Sequence, residues 1–475
     1  MKVACVSLHP TSITMKSVQV SAFLILIVSI TLYRRGSGIN KFSNHGKFPH
    51  GYYSAGDYGE DCVTLRNQAD APDAERFQFC EDATLWDVKD SNGKNVDRPL
   101  IASCDSGRKQ WNTVMGPLKD PEPHGTLWLY VPPSDAFLRS RRDSFSSIPD
   151  ELRGKPHRIT FINYPANHDF HPLGVAVWPS QGGNTSNLYV VNHARQKSVI
   201  EHFTLHPHNP TQATHVRTIT SLLFVAPNAL ALTSPNSFFM TNDHLLTRRL
   251  PFIGNHLAGI ETQYRLPLGH LLHVRLNAVN QGTIPTFTHP TIQHISNTHF
   301  SRLLIPFANG VALSPSGNEL AVASSSTGKV FIFDRDPSTN ALKQKDKLQM
   351  PFAPDNLHYE ASSNPEKATL IIAGHPDVIN LVKVAAGHPG ASAKSWVIAA
   401  VPGGRTNTTA ATDDIRKSDR WTSETLFQSA GVEDIGGFGA STTGLVDSDT
   451  GTLYVPGLYS KGGVMMCRPN LPPKL

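Results

Sequence analysis

The sequence has 475 residues, of which only 17% are charged, and it contains 35 glycines and 35 prolines. This composition favours a loop-rich β protein over a helical one, because helices need solvated charged faces and few breakers. The net charge of +5 is small for the length, and no basic run with interleaved aromatic residues is present. Nucleic-acid binding is therefore not expected.

The first predicted element is the apolar segment Val18–Tyr33, which is followed by Arg34 and Arg35 rather than by a small-residue cleavage site. It is slightly shorter than the roughly 17–25 residues of a typical spanning helix. We interpret it as an uncleaved signal anchor, with a cleaved signal peptide as the alternative. Basic residues flank both ends, so charge leaves the orientation open.

The predicted organisation has three parts. A cytoplasmic stub and signal anchor occupy residues 1–40, a linker occupies 41–60, and a β domain occupies 61–470. Sequons at Asn184 and Asn407 are candidate glycosylation sites and fit a lumenal or extracellular β domain. The expected location is therefore the secretory pathway, as a single-pass membrane protein or as a secreted protein if the anchor is cleaved.

Beyond residue 60, short apolar runs alternate with turn signals. Asn309–Leu313 is followed by a Ser-Pro-Ser-Gly turn, then by Glu319–Ala323 and Lys329–Phe333, which predicts a three-stranded meander. A later copy is interpreted as three strands that end with Val378–Val382, and the long segment Leu245–Leu303 is a candidate for a helix or lid. Six such meanders open near residues 81, 171, 228, 309, 355 and 441.

Repeated small β meanders predict an all-β fold, a six-bladed β-propeller, because neighbouring sheets in a ring bury the faces that one sheet leaves open. A β-sandwich with coincidental turns is the alternative. Cysteines stand at positions 5, 62, 80, 104 and 467, without a CxxC pair, which argues against zinc and thioredoxin-type chemistry. A disulfide between Cys62 and Cys467 would close the ring and stabilise it by restricting the unfolded chain. Cys80 and Cys104 flank the first meander and either pair or stay free.

The residues that open the first strand of each blade are expected to converge at one end of the propeller axis. They are carboxylates and side-chain amides: Glu81, Asp82, Asn228, Asn309, Asp355 and Asn356. Each of them alone is more often a turn residue, but their recurrence at one point of the repeat indicates a site. Hard oxygen donors in this number suit Ca²⁺, whereas Zn²⁺ prefers nitrogen or sulfur.

Six short motifs occur in a fixed order and extend the pattern over nearly the whole β domain. They are Cys-Glu-Asp at 80–82, Val-Val-Asn-His at 190–193, Thr-Asn-Asp-His at 241–244, Phe-Ala-Asn-Gly at 307–310, Asp-Asn at 355–356 and Gly-His-Pro at 374–376. The ordered set resembles the paraoxonase/arylesterase family, from about Cys62 to Cys467. The resemblance implies a propeller closed by a disulfide between these two cysteines, and calcium-dependent hydrolysis of aryl esters and lactones.

The resemblance also implies which residues hold the metal. The ligands of the catalytic calcium would be Glu81, Asn228, Asn309, Asp355 and Asn356. A second, structural calcium in the family uses the position of Asp82 and another Asp, whose place Ala229 takes here. Binding of a second ion is therefore an open question.

For proton transfer the family uses a pair of histidines near the calcium. His193 matches one of them, while Leu173 stands at the other position and His171, two residues earlier, is the candidate substitute. Asp243 and His375 match positions near the site, where supporting roles are expected.

The predicted function is therefore that of an arylesterase or lactonase acting on a small-molecule ester or lactone. The protein would meet the membrane through its anchor, and its oligomeric state is not predicted. Leu173 and Ala229 motivate the alternative of a catalytically impaired, membrane-tethered propeller that acts as a binding or scaffold protein. A gluconolactonase-like or strictosidine-synthase-like propeller is a third interpretation, which the terminal cysteines and the Phe-Ala-Asn-Gly motif disfavour.

Overall fold

The fold is known from a computed structural model. It describes residues 47–54, 62–67, 72, 76–119, 125–133, 148–251, 253–276, 292–294, 299–302, 304–360, 368–403 and 421–469. The predicted anchor Val18–Tyr33 and the sequon at Asn407 lie outside these residues. Asn184 lies inside them and is exposed in a turn.

The described chain is mostly β-strand, which confirms the mostly-β part of the predicted fold class. Within the described residues six antiparallel meanders follow one another, and we number them sheets 1 to 6 in chain order. Sheet 1 consists of Cys80–Leu85, Leu100–Asp105, Gly125–Tyr130 and Pro156–Arg158. Sheet 2 consists of Pro172–Val177, Ser186–Asn192, Val199–Leu205 and Gln212–Thr220, and Thr160–Ile162 and Ile292–His294 pair in parallel with its last strand. Sheet 3 consists of Pro227–Ser234, Ser237–Asn242, His270–Arg275 and His299–Arg302.

The remaining sheets repeat the same order, from an inner first strand outwards. Sheet 4 consists of Ala308–Leu313, Glu319–Ser324, Lys329–Arg335 and Leu342–Gln349. Sheet 5 consists of Ala353–Tyr359, Leu370–His375, Ser395–Pro402, Trp421–Ser429 and the added edge strand Tyr52–Ser54. Sheet 6 consists of Leu445–Val446, Leu453–Pro456, Val464–Cys467 and Cys62–Leu65. A small sheet joins Ser180–Gln181, Val88–Lys89 and Asn95–Asp97.

The first strands of sheets 1 to 5 pack against one another in sequence, and sheet 6 packs against the first strand of sheet 1. Glycine permits this close approach at two points. A Cβ atom on Gly174 would lie 2.3 Å from the carbonyl oxygen of Asn228, and one on Gly310 would lie 2.5 Å from that of Asp355. Such contacts are far shorter than van der Waals distance, so only a residue without a side chain fits there.

The described residues contain two disulfides, each of which links two paired strands. Cys62 and Cys467 are paired across sheet 6, so the strand Cys62–Leu65 completes a sheet built from the C-terminal part of the domain. Cys80 and Cys104, left undecided by the sequence, form the second disulfide across the first two strands of sheet 1.

The described residues contain two α-helices, Gly254–Gln263 and Val378–Ala385, and three short 3₁₀ turns, Asp150–Leu152, Ser325–Thr327 and Glu433–Ile435. The first helix lies within the segment 245–303 that was a candidate for a helix or lid. The strand predicted at Val378–Val382 is wrong, because Asp377 caps a helix there by accepting a hydrogen bond from the Asn380 amide (3.1 Å). Among the residues described, neither helix is long and apolar enough to span a membrane.

Candidate metal and catalytic site

A cavity of about 260 Å³ lies where the first strands of sheets 1 to 5 begin. It brings together residues that are far apart in the sequence. Eight of the predicted site residues line it: Glu81, His171, His193, Asn228, Asp243, Asn309, Asp355 and His375. Asp82 and Asn356 line a second cavity, of about 250 Å³, formed by the same inner strands. Neighbouring residues of a strand point to opposite sides, which separates Asp82 from Glu81.

Four oxygen atoms near this point are buried and have no hydrogen-bond partner. They are Glu81 Oε2, Asn228 Oδ1, Asn309 Oδ1 and Asn356 Oδ1. Their side chains are between 3% and 5% exposed. A buried acceptor without a partner costs roughly 1–3 kcal/mol, so four of them together indicate that something other than the protein satisfies them.

The orientation of the three amides is fixed by their nitrogen atoms. Asn228 Nδ2 donates to Asp243 Oδ2 (3.3 Å), and Asn356 Nδ2 donates to the carbonyl oxygen of Glu81 (3.3 Å). Asn309 Nδ2 donates to Ser325 Oγ (2.9 Å), whose own hydrogen goes to the carbonyl oxygen of Pro354 (2.6 Å). Because carboxylates and carbonyls only accept, the amide oxygens must point the other way.

The carboxyl groups at this point are crowded, and each disfavours the ionised form of its neighbours. Burial raises the pKa of Glu81 well above its ordinary value, and the neighbouring carboxylates Asp82 and Asp355 raise it further. Burial also raises the pKa of Asp82 to about 7. Arg108 lines the cavity, and its charge lowers the pKa of Glu81. Its hydrogen bonds, however, go to the carbonyl oxygens of Phe79 and Pro172. A divalent cation would offset the remaining repulsion.

The donor set fits Ca²⁺, which binds carboxylate and amide oxygens. In the described part of the chain, no group of three or more His, Cys, Asp or Glu side chains is arranged to hold a metal ion. A metal bound here would therefore depend on the amide oxygens as much as on the carboxylates.

His171 is positioned as a proton acceptor. Its Nδ1 lies 2.9 Å from Asp105 Oδ2, and both side chains are almost completely buried. Since the carboxylate only accepts, Nδ1 carries a hydrogen, and in the neutral imidazole Nε2 keeps a lone pair. Nε2 has no hydrogen-bond partner, and Asp169 Oδ2 lies 3.5 Å from it. We name this pair the His171–Asp105 dyad.

His193 is held differently. Its Nε2 lies 2.7 Å from the carbonyl oxygen of Pro227 and must donate to it, so Nδ1 accepts from the Thr113 hydroxyl at 2.7 Å. Burial, followed by the charge of Arg249, lowers its pKa to about 4. Both ring nitrogens are thus occupied, and the geometry favours His171 over His193 as the base.

The two residues expected to have supporting roles each contact a predicted ligand. Asp243 holds the Asn228 amide through Oδ2 and lies 3.1 Å from His244 Nδ1 through Oδ1. His375 Nε2 lies 2.8 Å from Asp355 Oδ2. These contacts would orient the ligands, as outer partners commonly do at metal sites.

Sequence reasoning did not identify Asp105, Arg108, Trp111, Thr113 or Ser325. Only Asp105 had a usable signal, because it follows Cys104 as Glu81 follows Cys80. The disulfide between these cysteines links the strands that carry one predicted ligand and the carboxylate of the dyad.

The arylesterase family model matches residues 153–400. Serum paraoxonase/arylesterase 2 of Gallus gallus is 24% identical over 212 residues, which cover 45% of this chain and 51% of that protein. Serum paraoxonase/arylesterase 1 of Homo sapiens is 23% identical over 223 residues, covering 47% and 54%. The chain thus spans about half the length of these curated relatives.

Among solved structures, a luciferin-regenerating enzyme superposes with a TM-score of 0.41 at 11% identity, covering 89% of this chain and 97% of that one. A gluconolactonase from Xanthomonas campestris gives a TM-score of 0.41 at 12% identity, with the same coverage. Similarity at this level carries no argument about function. The family model, however, covers more than half of the 475 residues, and we conclude that this chain belongs to the arylesterase family.

Proposed function

We propose that this protein is a calcium-dependent hydrolase of small carboxylic esters, including aryl esters and lactones, built on a six-bladed β-propeller. Membership of the arylesterase family supports ester hydrolysis at the level of the family. The six successive meanders support the propeller. The observation that carries the metal assignment is the set of four buried, unpartnered oxygens on three neighbouring sheets and on sheet 1.

In this proposal Glu81, Asn228, Asn309, Asp355 and Asn356 hold one calcium ion. When bound, the ion would polarise the ester carbonyl and stabilise negative charge on its oxygen. A second ion is not proposed, because Asp82 already accepts hydrogen bonds from the Val175 amide (3.0 Å) and the Thr443 hydroxyl (2.9 Å). Ala229 also supplies no side-chain donor atom there.

The His171–Asp105 dyad would remove the proton from the attacking water through Nε2 of His171. Asp105 fixes the tautomer and stabilises the imidazolium that forms, as a buried carboxylate does in other histidine dyads. Asp105 is itself held, since its Oδ1 accepts from the Gly107 amide (2.8 Å). The base is therefore His171 and not His193, which reverses the order that the motif match favoured.

The two disulfides indicate a secretory-pathway protein, since such bonds persist in oxidising compartments. The domain limits, the signal anchor at Val18–Tyr33 and glycosylation at Asn184 and Asn407 stay predictions, as does the absence of a nucleic-acid partner. The competing function is a binding or scaffold protein without turnover, which Leu173 at the position of the second family histidine still favours.

The test uses the purified full-length chain. Hydrolysis of phenyl acetate and of a γ- or δ-lactone is measured with calcium and after EDTA treatment, and calcium binding is measured by calorimetry. We expect turnover that EDTA removes and calcium restores. Calcium binding without turnover would support the scaffold function, and absence of both would refute the proposal.

A further inference from the structure

A larger cavity, of about 420 Å³, adjoins the metal and catalytic site. Trp111 and Arg248 line both cavities. The walls of the second cavity include Arg195, Arg248 and Arg249, and the helix Gly254–Gln263 begins at its edge. We name this cavity the arginine pocket.

Arg249 is a partly buried cation, and its contacts among the described residues are with neutral groups. Its Nη atoms donate to the carbonyl oxygens of Ala194 and Arg195, its Nε is buried without a partner, and its guanidinium carbon lies 5.7 Å from the centre of the Trp111 ring. In the described part of the chain no carboxylate lies within salt-bridge distance of it. Desolvation lowers its pKa to about 10, and the distant charge of Asp169 only partly offsets this.

Arg248 is held in the same way. Its Nε donates to the carbonyl oxygen of Val114 (2.8 Å) and its Nη1 to Asn255 Oδ1 (3.2 Å), again without an ion pair among the residues described. The helix that begins beside it has no acidic residue in its first turn, so its positive end is not neutralised there. Asp169, whose charge acts on Arg249, accepts a hydrogen bond from the Arg195 amide.

We propose that the arginine pocket binds the carboxylate end of the substrate, so that the preferred substrates are esters whose acyl chain ends in a second carboxylate. This inference rests on the proposed ester hydrolysis. Two positioned guanidinium groups without a carboxylate partner match the planar, bidentate geometry of a carboxylate.

The distance between the two sites is compatible with one substrate. The Trp111 ring lies 5.4 Å from the His171 ring and 5.7 Å from the Arg249 guanidinium, so it is close to both. A short aliphatic chain passing Trp111 would keep its apolar part against the indole while the ester stays near His171. The substrate carboxylate and the arginine side chains would be partly exposed to solvent, so their attraction must weaken as salt screens it.

The experiment compares matched substrates on the calcium-loaded, full-length protein. Monophenyl esters of succinate, glutarate and adipate are paired with phenyl butyrate, valerate and hexanoate, which have the same chain lengths without the second charge. For at least one length we expect kcat/KM to be about ten-fold higher for the anionic ester, with the preference shrinking in high salt. A trimethylammonium-terminated ester should be the poorest of the set.

The variants R249Q and R248Q should each reduce the ratio of anionic to neutral kcat/KM by about ten-fold. R275Q, which removes an exposed arginine elsewhere on sheet 3, should leave this ratio within two-fold of its original value. Using a ratio removes any general loss of activity or folding from the comparison.

The outcomes are distinct. If neutral esters are hydrolysed but no chain length shows an anionic preference, or if R249Q and R248Q leave the ratio unchanged, the arginine pocket does not have this role. If no ester of either kind is hydrolysed, the proposed function itself fails.

Discussion

At the scale of single residues, the candidate site is defined by which polar atoms remain without a partner. His171 and His193 line the same cavity, yet only His171 retains a free lone pair. Both nitrogens of His193 are engaged by Pro227 and Thr113. Equivalent residue types thus acquire different chemistry from their hydrogen bonds, and this difference can be measured.

The first residue-scale prediction concerns the base. H171Q should lower kcat for phenyl acetate by about 100-fold or more, because general-base catalysis typically contributes 10²–10⁴-fold. H193Q should lower kcat much less. D105N should also lower kcat and displace the pH profile, since an amide no longer selects the same tautomer. Steady-state kinetics between pH 5 and 9, with calcium affinity measured in parallel, provide the check. A larger loss in H193Q than in H171Q would contradict the assignment.

The second residue-scale prediction concerns the metal. N309A removes a proposed ligand and should weaken calcium binding by about 100-fold, while S325A, which releases the Asn309 amide and the Pro354 carbonyl oxygen, should weaken it by about 10-fold. Calorimetry on the purified variants measures both. N318A, an exposed turn residue of the same sheet, is the matched control. Equal affinities of N309A and N318A would remove Asn309 from the ligand set.

At the scale of elements, sheet 2 positions the base through a buried carboxylate. Glu201 is completely buried. It accepts hydrogen bonds from His168 Nε2 (2.7 Å), Asn192 Nδ2 (2.9 Å) and Thr218 Oγ1 (2.7 Å). The Asn192 Oδ1 atom in turn accepts from the backbone amide of His171 (2.8 Å). The strand Ser186–Asn192 therefore connects the interior of sheet 2 to the dyad.

Glu201 should make the free energy of unfolding depend on pH. Burial alone would raise its pKa, but hydrogen bonds from His168 and His215 lower it to about 2. A carboxyl group with a depressed pKa stabilises the fold above its ordinary pKa of about 4.5, and this contribution, about 3 kcal/mol, is lost as the pH falls towards 2. E201Q should be destabilised by about 3 kcal/mol at neutral pH. Denaturant unfolding between pH 2.5 and 7 tests this.

The exposed variant E151Q is the control for that experiment. It should unfold with the wild-type pH dependence, whereas E201Q should lose part of the slope below pH 4.5. If the slopes of E201Q and wild type coincide, the buried carboxylate does not contribute as argued.

At the scale of the whole molecule, two strands from opposite ends of the β domain are joined in one sheet. Cys62–Leu65 pairs with Val464–Cys467, and the disulfide connects residues 405 positions apart. Closing so long a loop restricts the unfolded chain by about 5–6 kcal/mol in the chain-entropy model. The double variant C62S/C467S should therefore lose several kcal/mol of unfolding free energy.

This last prediction is tested by thermal and denaturant unfolding with calcium present. Lowered stability with an unchanged calcium affinity would match a disulfide that stabilises sheet 6 and does not contribute to metal binding. Stability within about 1 kcal/mol of wild type would show that strand pairing alone holds sheet 6 together.

Local sequence was sufficient for the mostly-β class, because strand and turn propensities repeat with every meander. It was also sufficient to select Glu81, Asn228 and Asn309 as candidate ligands, since all three occur at the same point of that repeat. The strand predicted at Val378–Val382 failed, because a short apolar run does not distinguish a buried strand from a capped helix.

The tertiary structure alone decided which atoms are available for chemistry. That His171 has Asp105 beside it, that His193 is saturated, and that Arg249 lies beside Trp111 all depend on contacts between distant parts of the chain. Hydrogen bonding and burial are properties of the assembled surroundings. Sequence spacing could identify the residue types at the site, but only packing determined which lone pairs and charges remain unsatisfied.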